Sequence, residues 1–313
     1  MWCLAACGGG DGGRSTASLE DFYASADDAL CEYLVECGSF PDTATCRATQ
    51  FVDAEELTDK ALVANGTVVY HADRAADCLA IIEGLTCDAG AQSESSALDD
   101  ACQGVLTGAV AAGGACEVES QCAAGTTCEK PQTCDFDDLC CAGTCTATDE
   151  TRVALGADCS GADRCVAGAY CKPGTMVCTA KVAVEHDACD SFDACTLPLT
   201  CLEAPESGLG TCYRPAAHGA ACEPDTFESA CAEAGDFCAG TSKVCTAYGK
   251  PGDACDVATA PCIGYAECDG GTCKARPLAG QTCTGDGTDS DCLGALECTS
   301  GSCAAPPTAT ACP

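Results

Sequence analysis

The sequence predicts small disulfide-rich modules in tandem, made of short β hairpins and loops, preceded by a small disulfide-linked α-helical domain. Three observations predict this fold class: the number of cysteines, their regular recurrence after about residue 113, and an apolar stripe at helical spacing before it. The chain has 36 cysteines in 313 residues, above the roughly 8–10% that marks a disulfide scaffold. Because cytosolic thiols are kept reduced, such a chain belongs outside the cytoplasm.

Composition argues against several classes of function. Structural zinc sites use close ligand pairs such as C-x2-C, whereas no C-x2-C occurs here and His71, His186 and His218 are scattered. The net charge of −34, with only 14 Lys and Arg, repels phosphate backbones, so nucleic acid is not an expected partner. The best apolar stretch, 104–115, is too short to cross a membrane.

The sequence LAAC at residues 4–7 resembles a bacterial lipobox, in which a peptidase cuts before the cysteine and that cysteine carries the lipid. The lipidated residue is then Cys7, with 1–6 a residual signal peptide and 7–15 a Gly-rich tether. A charged segment and an apolar segment of about 7–15 residues normally precede such a box. Only six residues precede Cys7 here, which implies that the true start lies upstream or that the chain is truncated; the alternative is a chance match.

Residues 16–104 are predicted to form the helical domain. Apolar residues recur at helical spacing over 19–37, which predicts the first helix and its buried face. Ser18 with Asp21 can form a capping box at its start.

Start and stop signals predict further helices in this domain. Asp53 with Glu56 marks a second start, and Asn65-Gly66 marks its stop. A third helix is expected over 71–83 and a short fourth over 96–103. The glycosylation sequon that begins at Asn65 is better explained by the helix stop.

The helical domain contains six cysteines, an even number that permits three internal bridges in any of 15 connectivities. Cys37 at a helix end and Cys46 in the following loop are close enough in the sequence to pair. The expected bridges are Cys37–Cys46, Cys31–Cys78 and Cys87–Cys102.

The rest of the chain repeats a unit of four cysteines. Each unit opens with a Gly- or Ala-bearing turn, as in LGADC at 155–159, and a hairpin signal separates its last two cysteines, as in CDGGTC at 268–273. Each unit is expected to contact mainly its neighbours. The predicted boundaries are 113–148 for an irregular module 1, 155–180 for module 2, 186–213 for module 3, 219–246 for module 4, 252–274 for module 5 and 280–304 for module 6, with a C-terminal tail at 305–313.

The repeated G-x-x-C, C-x5-C and Gly-containing closing loop resembles the Dickkopf N-terminal and colipase-like cysteine-rich modules. The resemblance covers about 60% of the chain, from Gly113 to Cys303. The whole layout of lipobox, helical Cys-containing region and tandem modules is similar to bacterial cysteine-rich lipoproteins. Animal Dickkopf proteins antagonise a signalling receptor, but no residue here carries that activity over.

Four cysteines allow three connectivities. Pairing first with second and third with fourth would close two small loops and leave the unit unconstrained, whereas first–third with second–fourth ties the hairpin to the incoming chain. The resemblance to colipase-like modules implies this interlocked order. The pairs expected in the regular modules are Cys159–Cys171, Cys165–Cys178, Cys189–Cys201, Cys195–Cys212, Cys222–Cys238, Cys231–Cys245, Cys255–Cys268, Cys262–Cys273, Cys283–Cys298 and Cys292–Cys303.

Module 1 has seven cysteines, an odd number. Cys312 can supply an eighth through a long-range bridge, and a free thiol is the other option. Cys134 is expected to bridge Cys140 or Cys141. The remaining pairs expected in this module are Cys116–Cys128 and Cys122–Cys145.

Signals for catalysis or cofactor binding are weak. The chain contains no G-x-S-x-G or H-E-x-x-H, and a paired cysteine is not a nucleophile. Two acidic clusters could bind calcium weakly, but neither matches an EF-hand, and solvated loops explain them better. No cofactor or metal is therefore expected. The clusters are Asp135, Asp137 and Asp138, and Asp286, Asp289 and Asp291.

The expected function is that of a non-catalytic lipoprotein at the outer membrane or cell surface, held to the membrane only through a lipid anchor. Its modules would be displayed for structural or adhesive binding of a protein partner that the sequence does not identify. The alternative is an inhibitor or effector of extracellular enzymes, since small cysteine knots present rigid loops to proteases. An extracytoplasmic enzyme is the third reading.

Overall fold

The computed structural model contains a few helices at its N-terminal end, followed by short antiparallel hairpins in tandem and many disulfides. This confirms the predicted fold class. Within the described part of the chain, no helix is both long and apolar enough to cross a bilayer. The structure describes residues 15–49, 54–87, 98, 101–102, 104–131, 134, 141–147, 152–160, 164–166, 168–191, 194–196, 198–203, 209–222, 231–233, 235–239, 242–257, 259–285 and 290–306.

The N-terminal domain is built on helices, two of which begin or end where the sequence signals lie. Ser18 caps the first helix, because its hydroxyl accepts a hydrogen bond from the Asp21 N–H at 3.1 Å. The predicted start at Asp53 lies just outside the described residues. The helices are α1 (Leu19–Glu36), α2 (Thr43–Thr49), α3 (Ala54–Ala64) and α4 (Ala72–Glu83).

The stop at Asn65-Gly66 has the hydrogen bonds of a Schellman motif. Gly66 has a φ of +79° and donates its N–H to the Val63 carbonyl at 3.1 Å, while Thr67 donates to the Leu62 carbonyl at 2.9 Å. The same Thr67 N–H also donates to the side-chain oxygen Oδ1 of Asn65, at 2.9 Å. These contacts end α3 and turn the chain into the next strand.

The helical domain has one helix that the sequence does not predict, and one predicted helix that lies mostly outside the described residues. Helix α2 contains Cys46, for which the sequence predicts a loop; Asp42 caps this helix by accepting a hydrogen bond from the Thr45 N–H at 2.7 Å. The predicted helix over 96–103 lies mostly outside the described residues. Within it, Leu98, Ala101 and Cys102 are helical.

The apolar stripe of α1 packs on α4 to form the core of this domain. Phe22 of α1 and Leu79 of α4 are buried together with Val105. Beside them, β1 (Val68–Tyr70) pairs antiparallel with β2 (Leu106–Gly108), which brings the end of the helical domain back to its centre.

The structure corrects all three bridges predicted for the helical domain, Cys37–Cys46, Cys31–Cys78 and Cys87–Cys102. Because the chain reverses between α1 and α2, Cys46 faces the buried Cys31 rather than the nearer Cys37. Cys37 lies at the C-terminal end of α1 and meets the segment that follows α4. The observed bridges are Cys31–Cys46, Cys37–Cys87 and Cys78–Cys102.

Each of the six modules is centred on an antiparallel hairpin that carries its third and last cysteines. The hairpins are β4 (Thr126–Glu129) with β5 (Gly143–Ala147), β8 (Ala169–Lys172) with β9 (Val177–Ala180), β11 (Thr200–Glu203) with β12 (Gly210–Tyr213), β13 (Asp236–Ala239) with β14 (Val244–Ala247), β15 (Ala266–Asp269) with β16 (Thr272–Ala275), and β17 (Glu297–Thr299) with β18 (Ser302–Ala304). Shorter strands accompany them: β3 (Ala115–Cys116), β6 (Arg152–Val153), β7 (Arg164–Cys165) and β10 (Ala188–Cys189).

The hairpin register places the two cysteines directly opposite each other, as in Cys238 and Cys245. They do not bond to one another; Cys238 bonds to Cys222 and Cys245 to Cys231. The same interlocked order occurs in every regular module and matches the pairs expected above. Module 1 contains Cys116–Cys128, Cys122–Cys145 and Cys134–Cys141, while Cys140 and Cys312 lie outside the described residues.

A turn before the first cysteine pins the incoming chain to the hairpin. Three residues before that cysteine, a residue of positive φ donates its N–H to the carbonyl of the last cysteine at 2.7 to 2.9 Å in all six modules. Positive φ at the third turn position is the pattern of a type II turn, which favours glycine. The residues at this position are Gly113, Gly156, His186, Gly219, Gly252 and Gly280.

Module 3 departs from this rule, because its turn residue is His186, with a φ of +72°. A non-glycine residue in the left-handed region costs about 1–2 kcal/mol. The imidazole packs edge-on against Tyr213 with ring centroids 5.2 Å apart, and this contact offsets part of the cost.

Linkers connect successive modules by backbone hydrogen bonds. The residue after the second cysteine donates its N–H to a linker carbonyl, as Ala232 does to Ala216 at 2.8 Å and Ile263 does to Gly249 at 2.9 Å. In module 2 the same contact is a short parallel pair of β6 and β7. Neighbouring modules are therefore joined at defined positions.

The last modules also return to the helical domain, in addition to contacting their neighbours. Leu293 of module 6 is buried in one cluster with Phe40, Cys31 and Cys46. Gly264 of module 5 is so close to the helical domain that an added Cβ would lie 3.0 Å from the carbonyl oxygen of Gly38. The modules therefore do not contact only their neighbours. We call the packing of Leu293 and Gly264 on the helical domain the closing contact.

We predict that Gly219→Ala destabilises module 4 by about 1–2 kcal/mol, because alanine resists the positive φ of 75° at this turn. The matched control is Gly235→Ala in the same module. A Cβ meets nothing within 4 Å at either site, and only Gly219 has positive φ. Hydrogen exchange of the Cys245 amide, which bonds to Ala220, measures the difference; equal exchange in both variants would contradict the account.

Gly264→Ala should loosen the closing contact, since its Cβ would lie 3.0 Å from the Gly38 carbonyl oxygen and 3.3 Å from Ser39 Cα. Overpacking of this kind costs roughly 1–3 kcal/mol. Small-angle X-ray scattering is expected to show a larger radius of gyration than in the wild type. Gly235→Ala serves again as control, and an unchanged scattering curve for Gly264→Ala would refute the closing contact.

Candidate functional site

The disulfide framework holds the sulfur atoms of each module together. In modules 1, 2, 3, 4 and 6, the Sγ atoms of three cysteines all lie within 4.8 Å of one another. Every one of these sulfur atoms belongs to a bridge. In this oxidised state they are neither nucleophiles nor metal ligands, so their role is to hold the hairpin in place.

One histidine–carboxylate pair occurs in module 4. His218 Nδ1 lies 2.8 Å from Oδ2 of Asp236, whose side chain is buried. Among the described residues, no hydroxyl or thiol hydrogen-bonds to this imidazole. The pair connects the turn at His218 to β13 and has the geometry of a structural tie rather than of a nucleophile–base pair.

Of the acidic residues proposed as weak calcium ligands, Asp291 is described and the others lie outside the described residues. Its carboxylate accepts hydrogen bonds from the Thr284 N–H and hydroxyl, both at 2.8 Å. The bond from the Thr284 N–H lowers the pKa of Asp291. These bonds occupy the carboxylate in closing its own loop.

Modules 2 and 3 share a joint built around Tyr170. The ring of Tyr170, from β8 of module 2, is buried among module 3 residues that include Leu199 and Ala194. Its hydroxyl donates to Asp190 of module 3 at 2.6 Å. Lys172 adds an ion pair to the same carboxylate at 3.1 Å.

This joint changes the titration of its groups. Burial, followed by the hydrogen bond to Asp190 and its charge, raises the pKa of Tyr170 to about 12. The pKa of Asp190 is lowered: burial opposes ionisation, but the hydrogen bonds from Tyr170 and Lys172 together outweigh it. The two modules are thus fixed relative to each other at neutral pH.

Large apolar side chains are exposed on this pair of modules. Leu155 of module 2 is 58% exposed, Val184 in the linker 57% and Leu209 of module 3 60%. Met176, in the module 2 hairpin, is also exposed and has a φ of +51°. Exposed apolar side chains are candidate contacts for a protein partner, and we use the name apolar surface for this set of four exposed residues on modules 2 and 3.

The sequence does not predict the apolar surface, because nothing in the spacing of its residues marks them as exposed. In a two-stranded hairpin, burial depends on where the bridges and the next module lie, and not on alternation alone. Of the site residues considered from the sequence, the structure describes the bridged cysteines and Asp291. Cys7 lies outside the described residues.

Searches with protein-family models, among curated proteins and among solved structures find no match to this chain. The chain is thus a cysteine-rich, disulfide-bonded protein with small hairpins in tandem, and its extensive disulfides indicate an extracytoplasmic location.

Titration tests the joint between modules 2 and 3. The difference between the phenolate titration curves of the wild type and Tyr170→Phe should have its midpoint at about pH 12. Because the pKa of Tyr170 is raised on folding, its contribution to stability is present below about pH 10 and is lost as the pH rises to about 12. Asp190→Asn should move the midpoint towards 10, and a wild-type midpoint near 10 would contradict the buried joint.

Proposed function

We propose that this chain is a non-catalytic lipoprotein of the cell envelope whose disulfide-rich modules bind another protein. The observation that carries the proposal is the apolar surface on modules 2 and 3. Leu155 and Leu209 are each more than half exposed on a frame that bridges and the Tyr170 joint hold rigid. A rigid frame lowers the entropy lost on binding.

Charge supports a protein partner rather than a polyanion. The net charge of −34 favours a partner that presents basic groups around an apolar centre, and it disfavours anionic lipid surfaces and nucleic acid. Because the chain has 48 acidic residues and only 14 Lys and Arg, basic side chains cannot neutralise most of the acidic ones, which therefore contribute to the negative field of the surface.

The proposed anchor is a lipid on Cys7, in the outer membrane or at the cell surface. The LAAC sequence with its Gly-rich tether supports it, and the repeated module is proposed to be of the Dickkopf N-terminal or colipase-like type. The first–third and second–fourth bridges are in the order that this resemblance implies.

Lipidation gives a direct prediction. Expression of the gene together with its upstream sequence should yield a protein whose N-terminal residue is Cys7 carrying diacylglycerol, as intact-mass analysis will show. Cys7→Ser should abolish the lipid mass and release the protein from the membrane fraction. An exported wild-type protein that retains residues 1–6 without lipid would disprove the anchor.

The binding surface is tested by a pair of variants. Leu155→Ser with Leu209→Ser should reduce retention of a bound envelope or culture protein at least threefold in a quantitative pull-down, since about 1–2 kcal/mol of apolar contact is lost. Leu278→Ser, at an exposed leucine before module 6, is the matched control.

Equal retention by the double variant and the control would count against the apolar surface. Inhibition of a secreted protease by the wild type, with loss of inhibition in the double variant, would instead favour the alternative role as an inhibitor of extracellular enzymes.

A further inference from the structure

The arrangement of sulfur atoms within each module resembles that in a metal site more closely than the sequence spacing suggested. The three clustered cysteines are the first, second and last in modules 2, 3, 4 and 6. The remaining sulfur, that of the third cysteine, is bonded to the sulfur of the first. In module 1 the clustered cysteines are the first three, Cys116, Cys122 and Cys128, and the sulfur of Cys145 is bonded to that of Cys122. All four sulfur atoms of these modules are thus gathered in one place.

The distances between these sulfur atoms are close to those around a cation with four tetrahedral ligands. A Zn²⁺ ion bound to four thiolates at about 2.3 Å holds its sulfur atoms about 3.8 Å apart, whereas the clustered Sγ atoms lie within 4.8 Å. Opening a bridge from a covalent bond to this separation needs small side-chain rotations. The hairpin register, with Cys238 opposite Cys245 in module 4, already presents two of the four ligands on one face.

We propose that, when the bridges are reduced, each of modules 2, 3, 4 and 6 binds one soft cation such as Zn²⁺ or Cd²⁺ through its four cysteines, and module 1 binds one through Cys116, Cys122, Cys128 and Cys145. The ion replaces the two crosslinks, since it joins the incoming chain to the same two strands. This site goes beyond the proposed function and does not depend on it.

The chemistry of the exchange balances with a dithiol as reductant. Each bridge takes up two electrons and two protons to give two thiols, and the dithiol is oxidised to its cyclic disulfide. On binding the cation, the thiols release their protons to solvent, because only thiolates ligate. Binding is therefore pH-dependent and is reversed by oxidation.

Burial favours this site over loose binding by an unfolded chain. In module 4 the clustered sulfur donors Cys222, Cys231 and Cys245 are all buried. Module 6 also places a carboxylate oxygen of Asp291 within the same cluster. Because ordering of the hairpin and binding of the ion occur together, the ion should restore strand structure to the reduced module.

The experiment uses the full chain, reduced with a dithiol, freed of it under argon and titrated with Zn²⁺. Native mass spectrometry is expected to show at least five ions bound per reduced chain and none on the oxidised chain. Circular dichroism is expected to recover strand signal as the ions bind. N-ethylmaleimide labelling with peptide mapping then shows which cysteines the ions protect.

Two variants with the same number of thiols removed separate specific sites from general thiol binding. Cys222→Ser with Cys238→Ser should lose one ion and leave Cys231 and Cys245 open to labelling, while modules 2 and 3 stay protected. The control, Cys37→Ser with Cys87→Ser in the helical domain, should leave module protection unchanged. Equal loss of ions and protection in both variants, or zinc binding without recovery of strand signal, would overturn the proposal.

Discussion

The two interlocked bridges of each module are the constraint on which the structure depends. Among the described residues, almost all of the largest fully buried side chains are cysteines; Thr58, in the helical domain, is the exception. A bridge that closes a loop of about 12 residues stabilises the fold by roughly 3 kcal/mol, because it lowers the conformational entropy of the unfolded chain. The hairpin, the incoming turn and the linker bonds are all held by these crosslinks, because the modules have few apolar side chains to pack.

The turn glycine and the interlocked bridges act together. The bridges bring the incoming chain beside the hairpin, and the positive-φ turn lets that chain bond to the carbonyl of the last cysteine, as from Gly252 to Cys273 at 2.8 Å. Linker bonds and the Tyr170 joint then orient the next module. Two adjacent modules, such as modules 2 and 3, can therefore hold a fixed arrangement without a large common core.

Local features of this fold could be predicted from the sequence, and long-range ones could not. The cap at Ser18, the stop at Asn65-Gly66 and the hairpin at 268–273 each depend on a few adjacent residues with known preferences. The bridges of the helical domain depend on how α1, α2 and α4 pack. Proximity in the sequence therefore predicts the wrong bridge, Cys37–Cys46. The closing contact at Gly264 leaves no periodic signal at all.

Bridges from the first to the third and from the second to the last cysteine, rather than bridges across the hairpin, shape every module. The most direct test is peptide mapping of the unreduced protein by mass spectrometry, with digestion at low pH to prevent exchange. In module 4 the account predicts peptides joined as Cys222–Cys238 and Cys231–Cys245. Recovery of Cys238 bonded to Cys245, its neighbour across the hairpin, would contradict it.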